Sequence, residues 1–173
     1  GGIENSRLML WSDAVQNGAL VPPEAPLGRY WMEHPHQTIG AGLAPTYYAE
    51  ADSFSDTHFL SLTKAARERL GVLNCGLRFE PLRQEETRSL LDDLACAAPR
   101  LALEATEAVA SNASCGVRLR AAWEQEPIAE NRVALSESET DRFGMPRTEL
   151  HWRQTETDIR TVRENATALA IFL

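Results

Sequence analysis

The chain has 173 residues, 43% of them hydrophobic, which is enough to bury a sizeable core as one compact domain. Its 25 acidic residues outweigh 17 basic ones for a net charge of -8, and no run of lysine or arginine occurs, which argues against nucleic acid or an anionic membrane surface as partner. No stretch of about 18 apolar residues is present, so no membrane insertion is expected.

Ile3 to Trp11 reads as one or two helical turns with Ile3, Leu8 and Leu10 apolar. Residues 12–28 are a loop, broken by Asn17-Gly18 and by Pro22, Pro23 and Pro26. Residues 36–49, with Thr38, Ile39, Leu43, Tyr47 and Tyr48, predict an extended segment, and Thr57 to Thr63 another. Ala65 to Leu70 is a short helix that Gly71 ends. From Val72 to Leu82 the apolar residues alternate, with Leu73, Cys75, Leu77 and Phe79 directed inward. Gln84 to Leu94 is an amphipathic helix with Leu90, Leu91 and Leu94 as its stripe; Pro99 interrupts, and a second helix runs from Leu101 to Ala110.

Val117, Leu119, Ala121 and Trp123 then alternate with Arg118, Arg120, Ala122 and Glu124, a half-buried strand that Pro127 stops. Asn131 to Ser136, with Val133 and Leu135 on one face, pairs with a strand carrying Thr148, Leu150 and Trp152. The hairpin so formed has a long, acidic, solvated tip containing Asp141, Gly144 and Pro146. Thr155-Glu-Thr-Asp158 resembles a capping box and opens a last helix, with Ile159, Val162, Ala166, Leu169 and Phe172 at helical spacing. These elements predict an α+β fold, an antiparallel sheet with helices packed on one face, in a single domain. Cys75, Cys96 and Cys115 are too widely spaced for a metal pair or a disulfide framework and are expected to be reduced, small, buried residues. The chain opens on Gly1, and its last helix has no terminating Gly, Asn or Pro, so both ends are expected to continue into a longer protein.

Three stretches carry a family resemblance: Gly1-Gly-Ile-Glu-Asn5, Gly28-Arg-Tyr-Trp-Met-Glu-His-Pro-His36, and Asn131-Arg-Val-Ala-Leu followed by Asp141-Arg-Phe-Gly-Met-Pro-Arg147. Together they resemble the middle of a glucose-methanol-choline (GMC) flavoprotein oxidoreductase, a family that oxidises alcohols and sugars with FAD. The resemblance implies a Rossmann-like FAD domain interleaved with a substrate domain built on an antiparallel sheet. On that pattern residues 1–27 hold the end of an FAD-domain element and a loop, 28–153 most of the substrate domain, and 154–173 a helix leading back. Gly1, Gly2, Glu4 and Asn5 would then lie near the ADP half of FAD and Met32 near the flavin, with Trp31, His34 and His36 toward the substrate pocket. The implied partners are a small alcohol or sugar substrate and the remaining segments of the flavoenzyme.

Two parts of the family pattern are missing from this chain. Dinucleotide binding uses a strand, a G-x-G-x-x-G turn and a helix N-terminus aimed at the pyrophosphate, and no such motif occurs here. The C-terminal segment that supplies the family's catalytic histidine is missing as well, so no catalytic residue is assigned within the chain. Alone, it is expected to hold no FAD and to be inactive. An alternative is a catalytically inactive binding domain of the same fold. Residue by residue, His34-Pro35-His36 keeps three readings: flavin or substrate contact, an ordinary packed or solvated histidine pair, and a metal site that would need His58, His151 or an acid as well. Glu85-Glu86 and Asp92-Asp93 read as a solvated helix face.

Overall fold

A computed structural model describes residues 1–46 and 59–172, so Tyr47, Tyr48, Thr57 and His58 lie outside the described residues. In chain order the elements are α1 (Gly2–Val15), β1 (His36–Pro45), β2 (Leu60–Ser61), α2 (Lys64–Leu70), β3 (Cys75–Pro81), α3 (Gln84–Ala97), α4 (Pro99–Ala110), β4 (Ser114–Trp123), β5 (Arg132–Thr140), β6 (Pro146–His151) and α5 (Glu156–Phe172). The class is α+β, with one four-stranded antiparallel sheet in the order β1-β4-β3-β2 and one two-stranded sheet, β5-β6. Two compact units form: residues 1–33 with 125–156, and residues 34–124 with 157–173. The span 28–153 that the resemblance gives to one substrate domain is therefore shared between them, and the hairpin goes with α1.

In the first unit α1 is longer than the sequence pattern indicates and ends where Asn17 and Gly18 both adopt positive φ. The Asp13 carboxylate then holds the following loop by accepting from the Leu20 and Val21 amides at 3.0 and 2.9 Å. Gly28 has to be glycine. Its φ is +74°, its carbonyl accepts from Val133 N at 2.7 Å, and a Cβ there would sit 2.5 Å from the Val133 carbonyl oxygen.

Asn131, 1% exposed, acts as an extra ladder rung. Its Nδ2 donates to Arg153 O and its Oδ1 accepts from Arg153 N, both at 2.9 Å, while its own carbonyl accepts from Trp31 N at 2.8 Å. The hairpin tip is shorter than expected, because β5 runs on to Thr140, which pairs with Pro146. Asp141 closes it, accepting from Phe143 N at 2.8 Å and Met145 N at 3.1 Å. The tip is also tied to α1, where Arg7 reaches Asp141 and the Pro146 carbonyl, each at 2.8 Å.

The second unit has the larger apolar core. Cys75, Leu77, Ala121 and Trp123 line one face of the four-stranded sheet, with Leu169 of α5 buried against them and Val162 alongside. The alternation in β3 and β4 thus lies as the sequence predicts. Thr63 caps α2, its hydroxyl accepting from Ala66 N at 3.3 Å, and Gly71 ends the helix at φ +62°. Pro99 opens α4 at its first turn. Two expectations are corrected. Of the cysteines, none in a disulfide, only Cys75 is buried; Cys115 is half-buried and Cys96 exposed.

The second correction concerns α5, whose buried face is polar up to Asn165 and apolar only at Leu169. Asp158, Thr161 and Asn165 are buried, whereas Ile159 is exposed. Hydrogen bonds offset that burial: Thr161 Oγ1 accepts from Leu73 N at 3.0 Å and donates to Thr157 O at 2.8 Å, and Asn165 Nδ2 donates to Thr161 O at 2.8 Å. No helix among the described residues is long and apolar enough to cross a membrane.

Candidate functional site

Paired residues of an antiparallel ladder point to the same side, so strand register decides which polar side chains of the second unit share a face. Thr38 lies opposite Arg120, Arg120 opposite Arg78, Glu80 opposite Arg118, and His36 opposite Ala122. Turned away from the Cys75–Leu77 core, these residues make a charged row across β1, β4 and β3. Phe59 lies at its far side, its ring against Gly76 and its centroid 5.5 Å from the Arg78 guanidinium.

Arginine dominates this row. Glu80 bonds Arg78 and also faces Arg120 at 3.7 Å and Arg118 at 3.9 Å, so one carboxylate serves three guanidiniums. Arg118 has a second partner in Glu86 of α3. The Glu86 carboxyl is held below the usual carboxylate range, first by the Arg83 amide at 3.0 Å; burial opposes this, and the Arg83 and Arg118 guanidiniums add smaller lowering contributions. Thr87, one residue on, fits α3 to the strand: a Cβ on Gly116 would lie 2.2 Å from its Oγ1.

His34 and His36 stand at the β1 end of the row. Their rings meet edge to face with centroids 4.6 Å apart, and His36 Nε2 is 3.1 Å from His34 Nδ1, close enough for one proton to bridge them. His36 is held below the ordinary histidine range, first by desolvation and then by the charges of His34, Arg120 and Arg78. Its imidazole is therefore neutral near pH 7 and available for hydrogen bonding. Among the described residues no three histidine, cysteine or carboxylate side chains gather to hold a metal, and His151 instead faces Glu149 at 3.7 Å.

The other concavity of this unit is an apolar cavity of about 420 Å³ walled by Leu60, Leu62, Ala66, Leu77, Ala168 and Leu169. It carries no charged lining residue; its polar members are Ser61, Thr63 and Asn165, the last two already bonded to Ala66 N and Thr161 O.

The remaining predicted contacts fall in the first unit. Gly1, Gly2, Glu4 and Asn5 form the exposed first turn of α1, with Glu4 paired to Arg7 at 3.3 Å and Asn5 N donating to Gly1 O at 3.0 Å. Trp31 is half-buried with its ring over Gly2: a Cβ there would meet it at 3.8 Å, ordinary contact. Its indole N–H is buried and finds no acceptor among the described residues, while Met32 beside it is exposed. The ring carbons Cζ3 and Cη2 are the atoms that face Gly2, so the exposed helical turn meets the apolar edge of the indole and not its buried N–H. The residues that would cradle a pyrophosphate are not in this sequence.

The predicted set is thus divided, with Gly1, Gly2, Glu4, Asn5, Trp31 and Met32 in the first unit and His34 and His36 in the second. Sequence reasoning did not select Thr38, Arg78, Arg120 or Phe59. The available signal was arginine at 118 and 120 on the polar side of an alternating strand. Comparison with protein-family models gives no match, and no curated protein sequence is significantly similar to this chain.

Proposed function

We propose that this chain is the substrate-domain segment of an FAD-dependent oxidoreductase of the GMC type, acting on CH–OH groups of alcohols or sugars. The observation that carries the reading is the interleaving of the two units along the chain: residues 34–124, with the four-stranded antiparallel sheet, are inserted between the two segments of the unit that contains α1, and α5 then rejoins the sheet unit, with Leu169 on its core. That is the order of segments expected where a substrate domain is set into a cofactor domain. The apolar residues Ile3, Leu8, Met9 and Val15 of α1 are exposed, which supports a helix that packs on further protein.

FAD, when bound, supplies the two-electron acceptor for the substrate C–H hydride. Among this chain's residues, the exposed first turn of α1, with the carbon edge of the Trp31 ring against Gly2, would hold the cofactor's edge. The row of Thr38, Arg120, Arg78 and Phe59, with His34 and His36, would form the polar wall that orients a substrate hydroxyl compound and limits its contact with water.

The test has two parts. The chain, incubated with excess FAD and passed through gel filtration, is expected to emerge without a flavin band; a retained band overturns its assignment as a segment that needs the rest of the enzyme. A flavoprotein carrying this chain is expected to bleach its flavin on adding a sugar or alcohol, and failure with all classes of CH–OH donor overturns the oxidoreductase reading.

A further inference from the structure

We infer that the arginine row on the sheet face opposite the apolar core is a carboxylate site, and that the substrate of this domain is a small anionic polyhydroxy compound, a sugar acid instead of a neutral sugar. The inference rests on the substrate-domain reading above and names the substrate class for that same face.

Register brings Arg78 and Arg120 directly opposite each other, an arrangement of like charges that costs stability unless an anion lies between or beside them. Glu80 meets part of that need, but its bond goes to Arg78 and its contact with Arg120 is 3.7 Å, beyond hydrogen-bonding distance. Arg118 is drawn the other way by Glu86. Arg120 is therefore the guanidinium best able to receive a further carboxylate, and its side chain is 34% exposed, shielded enough to strengthen a charged contact and open enough to admit a ligand. A planar fork of donors suits a carboxylate in two-point contact.

The surroundings fit the rest of such a molecule. Thr38 lies across the ladder from Arg120 with a hydroxyl, and the His36 and His34 rings beside it offer nitrogens to substrate hydroxyls. Phe59 supplies an apolar wall for the C–H face of a carbon chain. A neutral sugar would satisfy the hydroxyl partners and leave Arg120 with only its 3.7 Å contact to a shared Glu80.

The experiment is a titration of the 173-residue chain with D-gluconate, D-glucitol and inorganic phosphate, followed by NMR of the His34 and His36 ring protons and by calorimetry. Gluconate is expected to bind and shift both rings, while glucitol at equal concentration does not. Arg120→Gln is expected to weaken gluconate on the order of tenfold to a hundredfold, the loss of a charge-assisted contact, with the circular dichroism spectrum unchanged. Should Arg120→Gln misfold, Arg120→Lys and added salt on the native chain give the same readout, each weakening gluconate.

Equal binding of gluconate and glucitol, absence of gluconate binding, or gluconate binding indifferent to Arg120 overturns the inference, as does phosphate binding tighter than gluconate. A flavoprotein carrying this chain that oxidises neutral polyols and leaves sugar acids untouched also overturns it while the oxidoreductase reading stands. Gluconate binding to the chain without any alcohol oxidation supports the site and removes that reading.

Discussion

The two units are held together by different physics. In the unit containing α1 and the hairpin, Val133 is the one fully buried hydrophobic side chain among the described residues. Order there comes from side chains that bond backbone: Asn131 to Arg153, Asp141 to the tip amides, Arg7 to the Pro146 carbonyl, and Gln125, whose Oε1 accepts from Glu33 N at 2.8 Å and Trp152 Nε1 at 2.9 Å. The sheet unit instead buries Cys75, Leu77, Val117, Ala121, Trp123 and Leu169 and leaves its charges on the opposite face. A domain with its core on one sheet face can change the polar residues of the other without losing its fold, which is the property a specificity surface needs.

The largest expected effect follows from the apolar side of that contrast. Leu77→Ala, at 2% exposure against Ala121 and Leu169, should cost about 2–5 kcal/mol in denaturant unfolding. Amide exchange should lose protection across β3 and β4 and keep it in β5 and β6; equal loss in both sheets would mean that the units are not separately stabilised. Asn131→Asp tests the polar side. The carboxylate still accepts from Arg153 N but has no donor for Arg153 O, so one buried bond becomes a repulsion and the unit should lose about 2–3 kcal/mol. A variant within about 0.5 kcal/mol of native stability would show that the rung is decorative.

The same contrast explains what was legible in the sequence. β3 and β4 were readable because a sheet with one apolar face writes its period of two directly into the chain, as in Val117, Leu119, Ala121 and Trp123. α2 and the start of α4 were readable from Thr63, Gly71 and Pro99, residues whose local chemistry sets helix ends. The polar buried face of α5 was not, because Thr161 and Asn165 look like solvent-facing residues until Leu73 N and the Thr161 carbonyl are placed beside them. The hairpin tip is hidden for a similar reason: residues 136–140 carry no apolar alternation, and the Thr140–Pro146 pair that shortens the tip follows a register shift after Leu135. At the candidate site, alternation in β4 places Arg118 and Arg120 on the polar side but does not set their register. Whether Arg120 faces Arg78 or Glu80 depends on a pairing between residues some forty positions apart, which alternation alone does not encode.

The smallest expected effect is a pH dependence confined to the hairpin tip. Asp141 is held below the usual carboxylate range, first by its bond to Arg7, then by the Phe143 amide, and to a lesser degree by the Met145 amide, against a smaller opposing effect of burial. A depressed acid stabilises the fold above its unfolded pKa, and the contribution is lost as pH falls through the lower, folded value. Arg7 shifts the opposite way, raised chiefly by the same bond, so its share disappears only in strong alkali. The tip should therefore hold through neutral and mildly acidic pH and loosen in strong acid, as the Gly144 and Phe143 amide shifts will report in a titration from about pH 6 to about pH 2. Arg7→Gln should move that transition to higher pH without abolishing it, since the two backbone donors remain; Asp141→Asn, which keeps an acceptor oxygen, should remove it. An Arg7→Gln titration that overlays the native one would mean the backbone amides alone set the acidity of Asp141, and that α1 contributes contact to the hairpin but no charge.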